Sequence, residues 1–359
     1  MQERGLFDPD APDAQGRRAL LDYLLSLGAT IDDLVEYRDE LPVAASMITL
    51  RPQGPRLTLH ELARRTGLDD DTVQHLWRAY GLPHAGADDP VAYEQTVELF
   101  DLFKVGIEML GRDAGMQMAR LIGETTARLA DALISSFVVE VGGPAWRRDP
   151  SLLALAQENA RAAELVAPLM HAFEVLLRHH LEVARRPVAD VFEESGYESR
   201  QLAIGFVDIS GSTALAARVS FDELGRVLGA FESRCAEIVA ARGGRLVKLI
   251  GDEAMFAVAT VDTACAIACD LVETTGDEDV PPVRVGIAAG DVLVRYGDCF
   301  GPVVNLAARL VAQAPPRTVV APAALTKQVE AAGFAVTRVG AWTLRGFDDD
   351  VDVSRVTRS

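Results

Sequence analysis

A chain of 359 residues exceeds one average core and suits two, at about 150 residues per domain. With 49% hydrophobic and 25% charged residues it has the make-up of a folded globular protein, not a disordered one. Its 35 basic against 53 acidic side chains leave −18 at pH 7, a charge that repels phosphate backbones at long range and argues against a dedicated nucleic-acid binder.

The N-terminal stretch Met1 to Asp10 lacks the basic and apolar regions of a signal peptide. No run approaches the roughly 18 apolar residues that span a bilayer. The greasiest, Leu165 to Leu177, is interrupted by Pro168, His171 and Glu174. The expected location is cytoplasmic, with docking on the inner face of a membrane left open. Four cysteines (Cys235, Cys265, Cys269, Cys299) are too few and too clustered for a disulfide scaffold. They read as small hydrophobes in a reducing compartment.

Up to about Arg186 the apolar residues recur at three- and four-residue steps, which predicts an all-helical domain over 1–186. Within it, residues 57–83 resemble a helix-turn-helix, two short helices around Gly67. Asp69, Asp70 and Asp71 open the second helix, where a DNA reader would meet phosphates, so packing is the expected use and DNA an unlikely partner. Further on, Asp149 suits an N-cap and Pro150 the first helical position. Pro168 should kink or break that helix. Its second segment sets Leu169, Phe173, Leu177 and His180 on one apolar stripe. A polar, Pro/Gly-punctuated stretch over 187–200 reads as the linker. From 201 to 359, short Val/Ile-rich runs alternate with helical segments, the rhythm of an α/β domain.

Three elements of this second half carry chemistry. The run from Leu202 to Thr213 is an apolar strand ending in Asp208, then a turn, Ser210-Gly211-Ser212-Thr213, that opens a helix. Turn amides and helix dipole make an anion nest, and Asp208 is a hard oxygen ligand of the kind Mg²⁺ takes. Alone, such an aspartate reads equally as a helix cap. The run Arg245 to Val258 is a hairpin turning at Gly251-Asp252. Two aspartates on neighbouring strands converge two carboxylates, the layout that holds two divalent ions for in-line displacement at phosphorus. In the third, Tyr296 to Leu310, Asn305 and Arg309 share one helix face, with Asp298 just upstream. By itself this also reads as a solvated helix face.

Together these residues resemble the catalytic domain of class III nucleotidyl cyclases, over roughly residues 200–355. The resemblance implies a ferredoxin-like βαββαβ core, α/β (α+β) in class, preceded here by the all-helical regulatory domain. It implies Asp208, Ile209 and Asp252 as metal positions for two Mg²⁺ or Mn²⁺ ions. It implies Lys248 and Asp298 as base readers, Asn305 and Arg309 as catalytic residues, and ATP as substrate. Ser210, Gly211, Ser212 and Thr213 would cradle phosphate. Arg345 lies near where the family places a basic residue towards the triphosphate. Sites are implied to be composite between two chains; since one chain carries all six motif residues, a homodimer follows. The expected products are 3′,5′-cyclic AMP and pyrophosphate.

All six histidines precede the linker, and histidine titrates near neutrality, at about 6.5. The arrangement is similar to soluble mycobacterial adenylyl cyclases with an autoinhibitory, pH-responsive N-terminal domain, for which a fatty acid or other lipid is an implied ligand. His179 and His180 are the regulatory candidates. The competing readings are a catalytically silent nucleotide-sensing or dimerisation module and a helix-turn-helix transcription regulator.

Overall fold

The computed structural model describes residues 1–52, 54–184 and 198–359. The chain divides into two compact units, Met1–Val188 and Ala189–Ser359. Of the expected linker, residues 187–197 lie outside the described residues, and the first strand already runs from Glu198.

The first unit is helical: α1 (Ala14–Ser26), α2 (Ile31–Glu36), α3 (Leu41–Leu50), α4 (Leu59–Thr66), α5 (Asp70–Ala79), α6 (Glu94–Leu110), α7 (Arg112–Phe137), α8 (Gly143–Arg148), α9 (Leu152–Glu164) and α10 (Val166–Val183). Small side chains let α3 and α9 approach closely, burying Ala44 and Ala45 with Ala156 and Ala160 beneath Leu20, Leu24 and Leu34. A second core joins α4 and α5 to α6 and α7 through Leu62, Leu76, Trp77, Phe100, Phe103 and Ala119. Helices α4 and α5 are the expected pair. The aspartates are occupied locally: Asp69 caps α5 by accepting from the Thr72 amide at 2.8 Å, and Asp70 meets His60 at 3.1 Å. Negative charge is favoured at that helix end.

Two expected boundaries move. Asp149 ends α8, its amide donating to the Ala145 carbonyl at 2.9 Å. Its carboxylate accepts from the Ser151 amide at 3.1 Å, so Ser151 becomes the cap of α9. The break assigned to Pro168 falls at Leu165. Pro168 then sits in the first turn of α10, where the missing amide hydrogen has no intrahelical partner to lose. The apolar stripe of α10 exists, but none of its side chains is buried.

The second unit runs β1 (Glu198–Ile209), α11 (Ser212–Ala216), α12 (Phe221–Ala241), β2 (Arg245–Ile250), β3 (Glu253–Val258), α13 (Val261–Thr274), β4 (Val283–Arg295), β5 (Asp298–Phe300), α14 (Pro302–Gln313), β6 (Val319–Pro322), α15 (Thr326–Ala331), β7 (Phe334–Trp342) and β8 (Val351–Arg358). The sheet order is β2-β3-β1-β4-β6-β8-β7, with β5 hanging from β4. Its antiparallel part β2-β3-β1-β4 is the expected βαββαβ core; β6 joins parallel to β4.

Strand alternation sorts side chains between two faces. Val207 and Ile209 of β1 join Phe231, Cys235, Cys265 and Cys269 of α12 and α13. Burial pushes the Cys265 thiol up to about 12 and Cys269 up to about 11, so both are inert packing groups. Ile204 and Phe206 face the other way, onto Val304, Ala307 and Val311 of α14. That helix lies directly on β4 at Gly286, where a Cβ would come within 2.5 Å of the Val311 amide nitrogen and 2.6 Å of the Ala307 carbonyl oxygen. Asp208, one step beyond Val207, points to the α14 face.

Candidate active site

Register places three charged residues in one row across three strands. Asp208 of β1 pairs with Glu253 of β3 on one side and Arg284 of β4 on the other. Arg284 donates through Nε to Asp208 Oδ2 at 2.6 Å. Its Nη1 also reaches the carbonyls of Ala312 and Ala314, at 3.0 and 3.2 Å, at the end of α14. The hairpin brings in Asp252. Gly251 takes the positive φ (63°) that a two-residue turn requires, and the Ile209 amide donates to the Asp252 carbonyl at 3.2 Å.

Crowding of carboxylates shows in their protonation. Burial holds the Asp208 carboxyl above its ordinary value; Arg284 pulls it down and Asp252 pushes it up. Burial, then Asp208 and Asp252, push Glu253 up to about 6, against the pull of Arg284 and Arg309. Such a cluster favours a cation.

Among the described residues no group of three or more His, Cys, Asp or Glu side chains forms a metal cage. Two carboxylates nevertheless suit Mg²⁺, which keeps several waters and shares its remaining positions with substrate phosphates. Ile209 offers only its main chain, since its side chain is buried in the opposite core. Beside it the Ser210 hydroxyl oxygen is buried with no hydrogen-bond partner among the described residues, an orphaned polar atom of the kind a bound group can satisfy. The Ser210 amide is spent on the Pro282 carbonyl at 2.9 Å. That withdraws the Ser210 amide from the expected nest; Gly211 precedes α11, and Ser212 and Thr213 open it.

Lys248 and Asp298, fifty residues apart, meet: Nζ donates to Oδ2 at 2.7 Å and to Oδ1 at 3.0 Å. Asp298 follows a two-residue turn in which both Tyr296 (φ 50°) and Gly297 (φ 81°) are left-handed. Helix α14 begins at Pro302, three residues before Asn305, with proline fitting the first helical position. Asn305 and Arg309 both stand exposed on it. Arg345 is exposed between β7 and β8, and among the described residues no hydrogen bond or ion pair joins it to these groups. His179 and His180 are exposed on α10, His179 lying 3.8 Å from Glu182.

Residue-level reasoning missed Glu253 and Arg284. Glu253 adjoins Asp252, but its alignment with Asp208 depends on the β1–β3 register. Arg284 is a lone arginine in an apolar strand, a signal whose partner only the β1–β4 register supplies.

Residues 195–354 match the adenylate and guanylate cyclase catalytic domain family. The chain belongs to this family. It is 36% identical over 277 residues to an adenylate cyclase of Streptomyces coelicolor, covering 76% of this chain and 72% of that protein. It is 34% identical over 355 residues to an uncharacterized protein of Mycobacterium tuberculosis, covering 96% and 93%. It is also similar, at 26% identity over 361 residues covering 95% and 88%, to the pH-sensitive adenylate cyclase of the same organism. Among the described residues, no helix is long and apolar enough to cross a membrane.

Proposed function

We propose that the protein is an adenylate cyclase that converts ATP to 3′,5′-cyclic AMP and pyrophosphate. The observation that carries this reading is the Lys248–Asp298 pair, a donor and an acceptor 2.7 Å apart. Lys248 suits adenine N1 as a donor, and Asp298 suits the 6-amino group as an acceptor. Guanine presents N1–H and a 6-oxo group, which leaves both protein groups mismatched, and buried mismatches of this kind discriminate strongly.

Asp208 and Asp252 would hold two Mg²⁺ or Mn²⁺ ions, supported by the carboxylate crowding and the unpartnered Ser210 hydroxyl. Bound there, the ions would lower the pKa of the ribose 3′-hydroxyl and neutralise the triphosphate. Arg284, already beside Asp208, adds a guanidinium suited to phosphate oxygens. Gly211, Ser212 and Thr213 lend amides to the same end. Asn305 orients the ribose for attack. Arg309 meets charge developing on the α-phosphate, and losing such a donor costs about 10²–10³ in rate.

The working form is a homodimer in which Asp208 and Asp252 of one chain face Lys248, Asp298, Asn305 and Arg309 of the other. Large apolar side chains stand exposed beside these residues, Ile250 at the hairpin tip, Tyr296 next to Asp298 and Phe300 on β5, as a partner surface requires. The helical unit, with His179 and His180 on α10, regulates the cyclase unit in response to pH. The likeness over 95% of the chain to a pH-sensitive adenylate cyclase supports this.

The test is product formation from ATP and from GTP with Mn²⁺ or Mg²⁺. Cyclic AMP should form, and Lys248→Glu with Asp298→Cys should shift preference towards GTP. No cyclic nucleotide from either substrate would overturn the cyclase reading. Unaltered ATP selectivity in the double variant would remove the base-reading assignment.

A further inference from the structure

Asp298 is held on a slender support. It opens β5, only three residues long, which is attached to β4 through the pairs Leu293–Phe300, Val294–Cys299 and Arg295–Asp298. A two-stranded hairpin is marginal by itself, and this one turns through Tyr296, a side-chain-bearing residue in left-handed backbone. Something beyond β4 must hold its tip.

One such contact is the Lys248–Asp298 pair itself, but under the proposed function those two groups turn to the base when nucleotide binds. A second comes from Arg245, three residues before Lys248 on β2. Its Nη1 donates to the Gly297 carbonyl oxygen at 2.5 Å, and its Nη2 reaches Cys299 Sγ at 3.4 Å. One guanidinium therefore grips the residues on both sides of Asp298. Cys299 is a firm anchor: its side chain is buried in the core beneath α14, and its amide donates to Asp298 Oδ1 at 2.7 Å. Arginine suits the task, since its planar fork serves two acceptors and its charge persists at any working pH.

We propose that Arg245 is a specificity-positioning residue. It tethers the β4–β5 hairpin to β2 so that Asp298 stays opposite Lys248 while both read the base. The proposal rests on the adenine-reading assignment of those two residues. It assigns Arg245 no contact with substrate.

The test uses the full chain with 3′-deoxy-ATP and 3′-deoxy-GTP, which lack the attacking hydroxyl, and compares binding calorimetry with steady-state kinetics on ATP. Arg245→Ala should lower the ratio of ATP-analogue to GTP-analogue affinity by about tenfold, the scale of one lost hydrogen bond, because Asp298 itself remains. KM for ATP should rise with it, while kcat at saturation changes little. Arg245→Lys, which keeps one donor to the Gly297 carbonyl but not the fork, should fall between. An unchanged affinity ratio in Arg245→Ala would overturn the proposal. So would a loss confined to kcat, or equal weakening for both analogues, since those mark a general structural role. Asp298→Ala is the control for the underlying assignment. If it too leaves the ratio unchanged, the base-reading assignment fails; if it alters the ratio and Arg245→Ala does not, only the tether fails.

Discussion

Gly286→Ala should slow turnover without altering any group that touches substrate. Gly286 lies under α14, and the added methyl would come within 2.5 Å of the Val311 nitrogen, where ordinary contact begins at 3.4 Å. The atoms it meets there are helix backbone, which cannot rotate aside, so α14 must retreat by about 0.9 Å, the difference between those two distances. Asn305 and Arg309 ride on the same helix, within one turn of Ala307. A misplacement near 1 Å can cost about 10²-fold in rate, roughly 2.7 kcal/mol of barrier. Lys248 and Asp298 lie on β2 and β5, so nucleotide affinity should change far less. Overpacking should also cost about 1–3 kcal/mol of stability. The assay is kcat and KM for cyclic AMP formation, alongside calorimetric affinity for 3′-deoxy-ATP and a thermal melt. A folded variant with kcat within threefold of wild type, against the hundredfold expected, would refute the placement of the catalytic pair on α14.

Two further outcomes follow from the charges. Glu253 has a folded pKa of about 6 against 4.5 for the free side chain. A raised carboxyl contributes stability below the unfolded value and loses it as pH climbs through the folded one, so ionised Glu253 destabilises the metal-free protein at pH 7.5, by about 1 kcal/mol once solvent screening of this half-buried side chain is allowed for. Glu253→Gln should therefore stabilise the cyclase unit at pH 7.5, raising its transition by about 2–4 °C, with less than half that gain at pH 5. Calorimetry in chelator reads this, and an equal gain at both pH values would contradict the carboxylate crowding. For the regulatory proposal, His179→Gln with His180→Gln should flatten the activity of the full chain between about pH 6 and pH 8, either side of the histidine reference value. An unaltered profile would remove that pair from the switch.

The α/β half was legible because its signals are local. Val/Ile-rich runs, the Gly-Asp turn, and the i, i+4 placement of Asn305 and Arg309 need no distant partner to be read. The helix pair around Gly67 was legible for the same reason. Boundaries were less so: Asp149 and Ser151 compete for one cap, and the competition is decided by the carbonyl that the Asp149 amide finds in α8. Likewise Pro168 marks a helix start as readily as a break.

By itself the sequence determined which chemical groups are present and which share a strand or helix face, since periodicity is a property of the backbone. Only the tertiary structure decided which of them meet. Strand register aligned Glu253 and Arg284 with Asp208, and folding of the β4–β5 hairpin against β2 joined Arg245 and Lys248 to the turn that carries Asp298. Those pairings span 45 to 76 residues of chain, and at that separation spacing carries no geometric information until the sheet is built.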